Sequence, residues 1–216
     1  SDKRYLGNII TQNPTAPAGD FGNSAAKGVW SLEEQLAYQK AGLWPVPGKF
    51  LNVEDVFSTY LYTGTGANQT ITNGIDLSGE GGMTWIKRRN AADSHVLTDS
   101  ERGYGQVLNT DTTGANQNLA SLFNLSTTSS GFTIGSNNSQ INNTSQTYTS
   151  WTFRKAPKFF DVVTYTGDGT GNQDIPHDLG ATPGCIIVKR TDTTEDWWVY
   201  HRSISTNDQL QLNSTA

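Results

Sequence analysis

The sequence is poor in cysteine, in charged residues and in long apolar runs. Of its 216 residues one is a cysteine, Cys185, and 16% are charged. A single cysteine excludes an internal disulfide, so we expect the fold to be stabilised by packing or assembly. Cys185 opens the apolar run Cys185–Val188, which predicts a buried and unreactive thiol. No run approaches the roughly 20 apolar residues of a membrane helix, and we expect no membrane insertion.

Positive charge is also scarce. Lysine and arginine are scattered along the sequence and the formal net charge is −5, which leaves no basic patch for a polyanion. We therefore expect no nucleic-acid partner. The sequence does not open with the charged and apolar segments of a secretion signal, which predicts a polypeptide made in a cytoplasm.

The residues that are abundant favour a mainly β fold. Glycine (22 residues), aromatic residues (10%) and many Thr, Asn and Ser residues suit short strands joined by tight turns. Seven strand-sized runs follow residue 55: Phe57–Tyr62, Met83–Lys87, His95–Thr98, Gln106–Leu108, Leu122–Leu125, Phe132–Ile134 and Thr147–Phe153. This density predicts an antiparallel β-sandwich over residues 55–157. Alternate residues of the last run share a face, so one face should be core and the other wetter.

Residues 1–50 differ from everything that follows. They begin as a polar arm without periodicity, which predicts an extended segment that buries little surface. One short helix is then predicted over about residues 31–41. Ser31 and Glu34 form a capping box at its start, and Gly42 suits the left-handed residue that ends it.

The predicted helix and its flanks carry more apolar surface than so small an element can cover. The residues of this surface are Val29, Trp30, Leu32, Leu36, Leu43 and Trp44. We expect it to anchor the chain to another protein or to hold an oligomer together. The alternative is that it packs against the domain that follows.

The sequence matches itself at an offset of a little over 100 residues. The matched positions are Tyr62–Gly66 with Tyr165–Gly169, Asn68–Gln69 with Asn172–Gln173, Ile71 with Ile175, Leu77 with Leu179, Gly82 with Gly184, Ile86–Arg88 with Val188–Arg190, and Leu108–Asn109 with Leu212–Asn213. We name residues 55–157 repeat 1 and residues 158–216 repeat 2. Repeat 2 is incomplete beside repeat 1, so we expect further chain, or strands from neighbouring chains, to complete it.

No residue pattern points to catalysis, a metal or a cofactor. Asp99 and Glu101 are spaced like paired carboxylates, but they do not recur in repeat 2. The histidines lack zinc-ligand spacing, and the acidic loop around Asp168 lacks the spacing of a calcium loop. The Gly64-x-Gly66 and Gly167-x-Gly169 segments predict turns, because no phosphate-binding helix follows them. We expect no catalytic residue and no metal ligand.

Two tryptophans near the end of the sequence are candidate glycan contacts. Trp197 and Trp198 are neighbours in a strand-like stretch, so their side chains face opposite ways. Aromatic faces stack on sugar rings. We expect one of the two faces to be core and the other to be available to a ligand.

Two stretches of repeat 1 carry a family resemblance: Gly82–Arg89 (GMTWIKRR) and His95–Asp99 (HVLTD). They are similar to a repeated domain of large structural proteins from marine tailed phages. Trp151–Pro157, which runs into Phe159–Gly167, resembles the junction between two such domains. The resemblance implies concanavalin A-like, laminin-G-like sandwiches, with repeat 2 as a partial second β-domain.

Gly28–Gln35 and Gly42–Pro45 are similar to the short head segments that precede fibre and adhesin domains in the same phages. The resemblance implies a virion protein of tail-fibre type, assembled in the host cytoplasm, whose residues 1–50 attach to virion proteins of the tail, adaptor or neck. It also implies a homotrimer that contacts a glycan or protein receptor on the host surface. A capsid decoration or head-fibre protein is the main alternative, and a glycan-degrading enzyme is a distant one.

Overall fold

Strands dominate the described part of the chain. The structure, a computed structural model, describes residues 52–135, 137–205 and 208–214, together with Leu36 and Lys40. In chain order its elements are α1 (Val53–Val56), β1 (Phe57–Thr63), β2 (Gln69–Thr72), β3 (Gly82–Arg88), β4 (Val96–Asp99), β5 (Gln106–Val107), β6 (Gln117–Asn118), α2 (Ala120–Phe123), β7 (Ser126–Thr128), β8 (Gly131–Ile134), β9 (Thr147–Arg154), β10 (Cys185–Lys189), β11 (Trp197–His201) and β12 (Leu210–Gln211).

Repeat 1 has two main antiparallel sheets with one apolar core. The first sheet has the order β1-β9-β3-β4 and the second has the order β2-β8-β7. Buried side chains from both sheets form the core: Tyr62, Ile86, Val96 and Tyr148 from the first, and Ile71, Phe132 and Ile134 from the second. The predicted mainly β, antiparallel sandwich fold is therefore confirmed. The concanavalin A-like topology stays a prediction.

The alternation in β9 is confirmed, although the larger apolar residues lie on the outer face. Tyr148, Ser150 and Thr152 are fully buried, whereas Trp151 and Phe153 are half-buried. The Tyr148 ring stacks on Tyr62 with centroids 5.1 Å apart. The Tyr148 hydroxyl donates a hydrogen bond of 2.8 Å to the Ser139 carbonyl oxygen. The phenol is thus buried without losing its polar partner.

One of the predicted strands of repeat 1 is wrong. The run Leu122–Leu125 overlaps α2, in which the Phe123 N–H donates to the Leu119 carbonyl oxygen. Asn124 ends this turn in the left-handed region, with φ of 45°, a conformation that Asn tolerates well. Phe123 is fully buried, so this short apolar run reaches the core from a helical turn. The other six predicted strands are present, with each end shifted by at most one residue.

The predicted anchoring surface lies almost entirely outside the described residues. The chain divides into two units, residues 1–51 and 52–216. In the first unit, Leu36 and Lys40 are α-helical, and the Leu36 side chain is 49% exposed. The remaining residues of the predicted surface fall outside the described part: Val29, Trp30, Leu32, Leu43 and Trp44. The anchoring helix over residues 31–41 stays a prediction.

Two glycines of repeat 1 lie where other parts of the backbone come too close for any side chain. A Cβ atom on Gly64 would collide with the carbonyl oxygen of Asn143 and lie 3.0 Å from the carbonyl carbon of Asn142. A Cβ atom on Gly82 would collide with the Phe153 carbonyl oxygen and lie 2.9 Å from Arg154 Cα in β9. Neither neighbour is the end of a flexible side chain, so the backbone itself would have to move.

We predict that Gly64→Ala lowers the free energy of unfolding by about 1–3 kcal/mol, the usual cost of overpacking. Gly171→Ala is the matched control, because nothing lies within 4 Å of a Cβ atom at that position. Urea denaturation of the full chain gives both values. Equal stability of the two variants would contradict the close approach seen at Gly64.

Candidate functional site

The hairpin of β3 and β4 recurs in repeat 2 as the hairpin of β10 and β11. In the first hairpin Met83 pairs with Asp99 and Ile86 pairs with Val96. In the second, Cys185 pairs with His201 and Val188 pairs with Trp198. Every pair is displaced by the same 102 positions that separate Met83 from Cys185. The two hairpins therefore have the same register, residue by residue.

Hydrogen bonds outside the two ladders recur at the same interval. The Ser100 N–H donates to the Gly82 carbonyl oxygen, as the Arg202 N–H does to Gly184, both at 2.9 Å. The His95 N–H donates to Asp111 Oδ1 at 3.1 Å, as the Trp197 N–H does to Asn213 Oδ1 at 2.9 Å. Lys87 Nζ donates to the Arg88 carbonyl oxygen at 2.8 Å, as Lys189 Nζ does to that of Arg190 at 2.5 Å. Side chains and backbone thus make equivalent contacts in both hairpins.

The structure corrects one match of the repeat. Leu108 bridges Leu97 next to the first hairpin, and in the second hairpin the residue opposite Val199 is Leu210. Leu108 therefore corresponds to Leu210. The match of Leu108–Asn109 with Leu212–Asn213 rested on two identical letters and is out of register by two residues.

The inner face of the second hairpin is an open apolar surface. A shallow groove there is lined by Ile186, Val188, Trp198, Val199, Tyr200, Asp208 and Gln209. Cys185 is also exposed, so its predicted burial is wrong. The apolar run has the composition of a core strand but has no second sheet over it among the described residues. We name this face, with its side chains Ile186, Val188, Trp198 and Tyr200, the open face.

The opposite face of β11 packs onto repeat 1. Trp197 is 3% exposed and clusters with Leu97 and Leu108. Its indole Nε1 donates to the carbonyl oxygens of Asn109 and Thr112, each at 3.1 Å. Because both ring faces are buried, Trp197 has no surface for a sugar and its predicted glycan contact is wrong. Trp198 is half-buried on the open face, and its glycan contact stays a prediction.

The carboxylates considered for catalysis are each held by a cation. Buried Asp99 accepts hydrogen bonds of 2.9 Å from the Arg102 N–H and 2.7 Å from Arg102 Nε. Glu101 Oε1 lies 2.8 Å from Lys155 Nζ, which also pairs with Asp161 at 3.2 Å. Both carboxylates therefore have a structural partner next to the junction of the repeats.

Charge at this junction is stabilised on both sides of the ion pair. The hydrogen bond that Lys155 donates to Glu101 raises the pKa of the lysine ammonium. Burial opposes ionisation of Asp161, but hydrogen bonds from the Asp178 N–H and from Lys155 lower the pKa of its carboxyl below the ordinary value. Lys155 thus links the end of β9 in repeat 1 to the start of repeat 2.

Each of the three histidines has its own hydrogen-bond partner. His95 Nδ1 accepts a hydrogen bond of 3.0 Å from Trp85 Nε1, and burial lowers the pKa of its imidazole. His177 and His201 each accept a bond through Nδ1 from a nearby backbone N–H. Across the described ranges, no cluster of three or more His, Cys, Asp or Glu side chains has the geometry to hold a metal ion.

The glycine turns of the repeat are confirmed at Gly66 and Gly169, but sequence reasoning missed a packing requirement at Gly64. Gly66 and Gly169 have φ of 73° and 75°, as tight turns need. Gly64 is instead required by the close approach of Asn143. Its counterpart Gly167 was visible in the repeat match but carried no signal that separated a packing role from a turn.

The fold and the open face define a mainly β protein of antiparallel sandwich type with a recurring hairpin. Residues 52–216 match the family described as "Domain of unknown function (DUF7483)", and the chain belongs to this family. No curated protein and no solved structure shows a significant match. Within the described residues we find no helix with the length and apolar character needed to cross a bilayer.

We predict that Trp197→Ala costs about 3–5 kcal/mol of stability, because it empties a packed site and leaves two carbonyl oxygens without their indole partner. Trp198→Ala removes the same side chain one residue along, from the open face, and should cost much less. Urea denaturation of the two variants measures the difference. Equal losses would contradict the packing of Trp197 between the repeats.

Proposed function

We propose that the chain is a structural and adhesive component of a bacteriophage virion, of the tail-fibre or tail-appendage type. Residues 1–50 would attach it to other virion proteins, and its β modules would project towards the host surface. By analogy with other fibres, the assembled form is a homotrimer that contacts a glycan or protein receptor. Its role is mechanical and adhesive, and no chemical step is assigned to it.

The observation that carries the proposal is the recurrence of one hairpin in one register along the chain. Met83 and Cys185 occupy equivalent places, and so do the residues paired with them, Asp99 and His201. Serial copies of one β module suit a fibre, since several weak sites on one oligomer give avidity that no single site provides. Packing of Trp197 onto repeat 1 would stiffen such a series.

The contacts of the acidic side chains support a structural role over a hydrolytic one. A glycosidase needs two carboxyl groups that face one sugar bond. Asp99 is instead buried against Arg102, and Glu101 is bound to Lys155. These ion pairs stabilise the end of β4 and the junction of the repeats, as we expect in a fibre module.

We predict that gold-labelled antibodies against residues 1–50 and against residues 164–175 bind intact particles of the phage that carries the gene, with both labels on the tail. Electron microscopy of the labelled particles gives their positions. Labels confined to the head would replace the fibre proposal with a capsid decoration or head-fibre protein.

Absence of the chain from purified particles, by mass spectrometry, would contradict any virion role. Release of new reducing ends from host polysaccharide by the purified chain would contradict the non-catalytic part of the proposal. Glu101→Gln serves as the control variant for that assay, because it removes the carboxylate charge from the junction ion pair.

A further inference from the structure

The open face of repeat 2 corresponds to the face of β3 and β4 that is buried in the core of repeat 1. Thr84 and Ile86 of β3 and Thr98 of β4 are fully buried beneath the second sheet. Their counterparts, displaced by the same interval, are Ile186, Val188 and Tyr200, which are 42%, 38% and 38% exposed. Ile186 and Tyr200 are larger and more apolar than the threonines they replace, and Val188 is as apolar as Ile86, so leaving them in water is unfavourable.

Repeat 2 also lacks ladders that repeat 1 has. Strand β3 lies between β9 and β4, whereas β10 is an edge strand that pairs with β11 alone in the described sheet. Residues 161–176, which match β1 and β2, include no strand. In repeat 1, β1 pairs with β9 and β2 pairs with β8. Counterparts of β8 and β9 are thus what would pair the free segments and the free edge.

Two glycines of repeat 2 also indicate strands like β8 and β9. Gly64 and Gly82 have no room for a Cβ atom because of residues 142–143 and of β9. Their counterparts are Gly167 and Gly184. Nothing lies within 4 Å of a Cβ atom on Gly167, and on Gly184 only the Arg202 side chain is near, at 3.4 Å. Neither counterpart has φ in the region that favours glycine.

Two glycines therefore stand where the described contacts do not require them. The backbone atoms that exclude a side chain in repeat 1 belong to β9 and to the loop before it. A backbone that approached repeat 2 in the same way would explain both glycines, the free edge and the open face together.

We propose that the open face and the free edge of β10 form a docking surface for a strand pair of this same repeat, patterned like β8 and β9. The incoming β9-like strand lies antiparallel to β10, with its final residue opposite Gly184 as Arg154 lies opposite Gly82. The β8-like strand covers the open face. Trp198 then becomes a core residue, in place of the glycan contact predicted from the sequence.

The experiment adds a fluorescent peptide of residues 126–154, which contains β7, β8 and β9, to the full chain. Fluorescence anisotropy measures binding, and the rate of thiol alkylation at Cys185 reports coverage of β10, since this is the chain's one cysteine. We expect saturable binding of one peptide per chain and slower alkylation of Cys185. A scrambled peptide of the same composition should do neither.

Alanine variants of the full chain test the register. Gly184→Ala and Gly167→Ala should each weaken peptide binding about tenfold or more, the factor expected when a methyl group is forced against backbone. Gly171→Ala is the matched control and should bind as the unmodified chain does. All three should leave the stability of the free chain nearly unchanged, because no backbone approaches these positions.

Appending a second copy of residues 115–157 after Ala216 supplies the same strands without the cost of association. This extended chain should also slow alkylation of Cys185, and Gly184→Ala should reverse the effect. Failure of both the peptide and the extended chain to protect Cys185 would overturn the proposal. Peptide binding that leaves Cys185 reactive would also overturn it, because it indicates exchange of the peptide into repeat 1. The proposal fails as well if Cys185 is protected by dimers of the chain that the peptide does not disrupt.

Discussion

The pairing of β9 with β1 on one side and β3 on the other is the interaction on which repeat 1 depends. Strand β9 lies far from β1 and β3 in the sequence. On its buried face, Tyr148 stacks on Tyr62 of β1. The approach is so close that Gly82 has no room for a Cβ atom. Without β9, β1 would have no partner in the described sheets, and the core between the sheets would open along one side.

The outer face of the same sheet holds the two repeats together. Trp85 and Trp151 meet edge to face there, with centroids 5.9 Å apart, and Trp197 from repeat 2 buries itself beside Leu97. One sheet therefore serves two interfaces, an apolar core on its inner side and the contact with repeat 2 on its outer side. This explains how the largest aromatic side chains of β9 can lie outside the core at little cost.

Local patterns predicted six of the nine strands of repeat 1, because alternation and turn residues are visible in a single sequence. They failed where the outcome depended on distant contacts. The apolar run Leu122–Leu125 fits a strand and a helical turn equally well. Only contacts with the rest of the fold decide that Phe123 reaches the core from a helical turn. Burial of Cys185 was inferred from its apolar neighbours, but burial needs a second sheet that no local pattern can supply. The repeat match found that the two hairpins are equivalent. That Leu108 corresponds to Leu210, and not to Leu212, became clear only from the pairing of β11 with β12.

Amide hydrogen exchange on the full chain, resolved by residue, tests most directly whether repeat 2 is a half-paired copy of repeat 1. The account predicts slow exchange at the paired amides of β1, β2, β10 and β11. It predicts fast exchange over residues 161–176, whose counterparts in repeat 1 are protected by β8 and β9, except at Val162, Asp168 and Thr170, whose N–H groups donate to side chains. Protection of residues 161–176 equal to that of β1 and β2 would contradict it, because these segments would then already have partners.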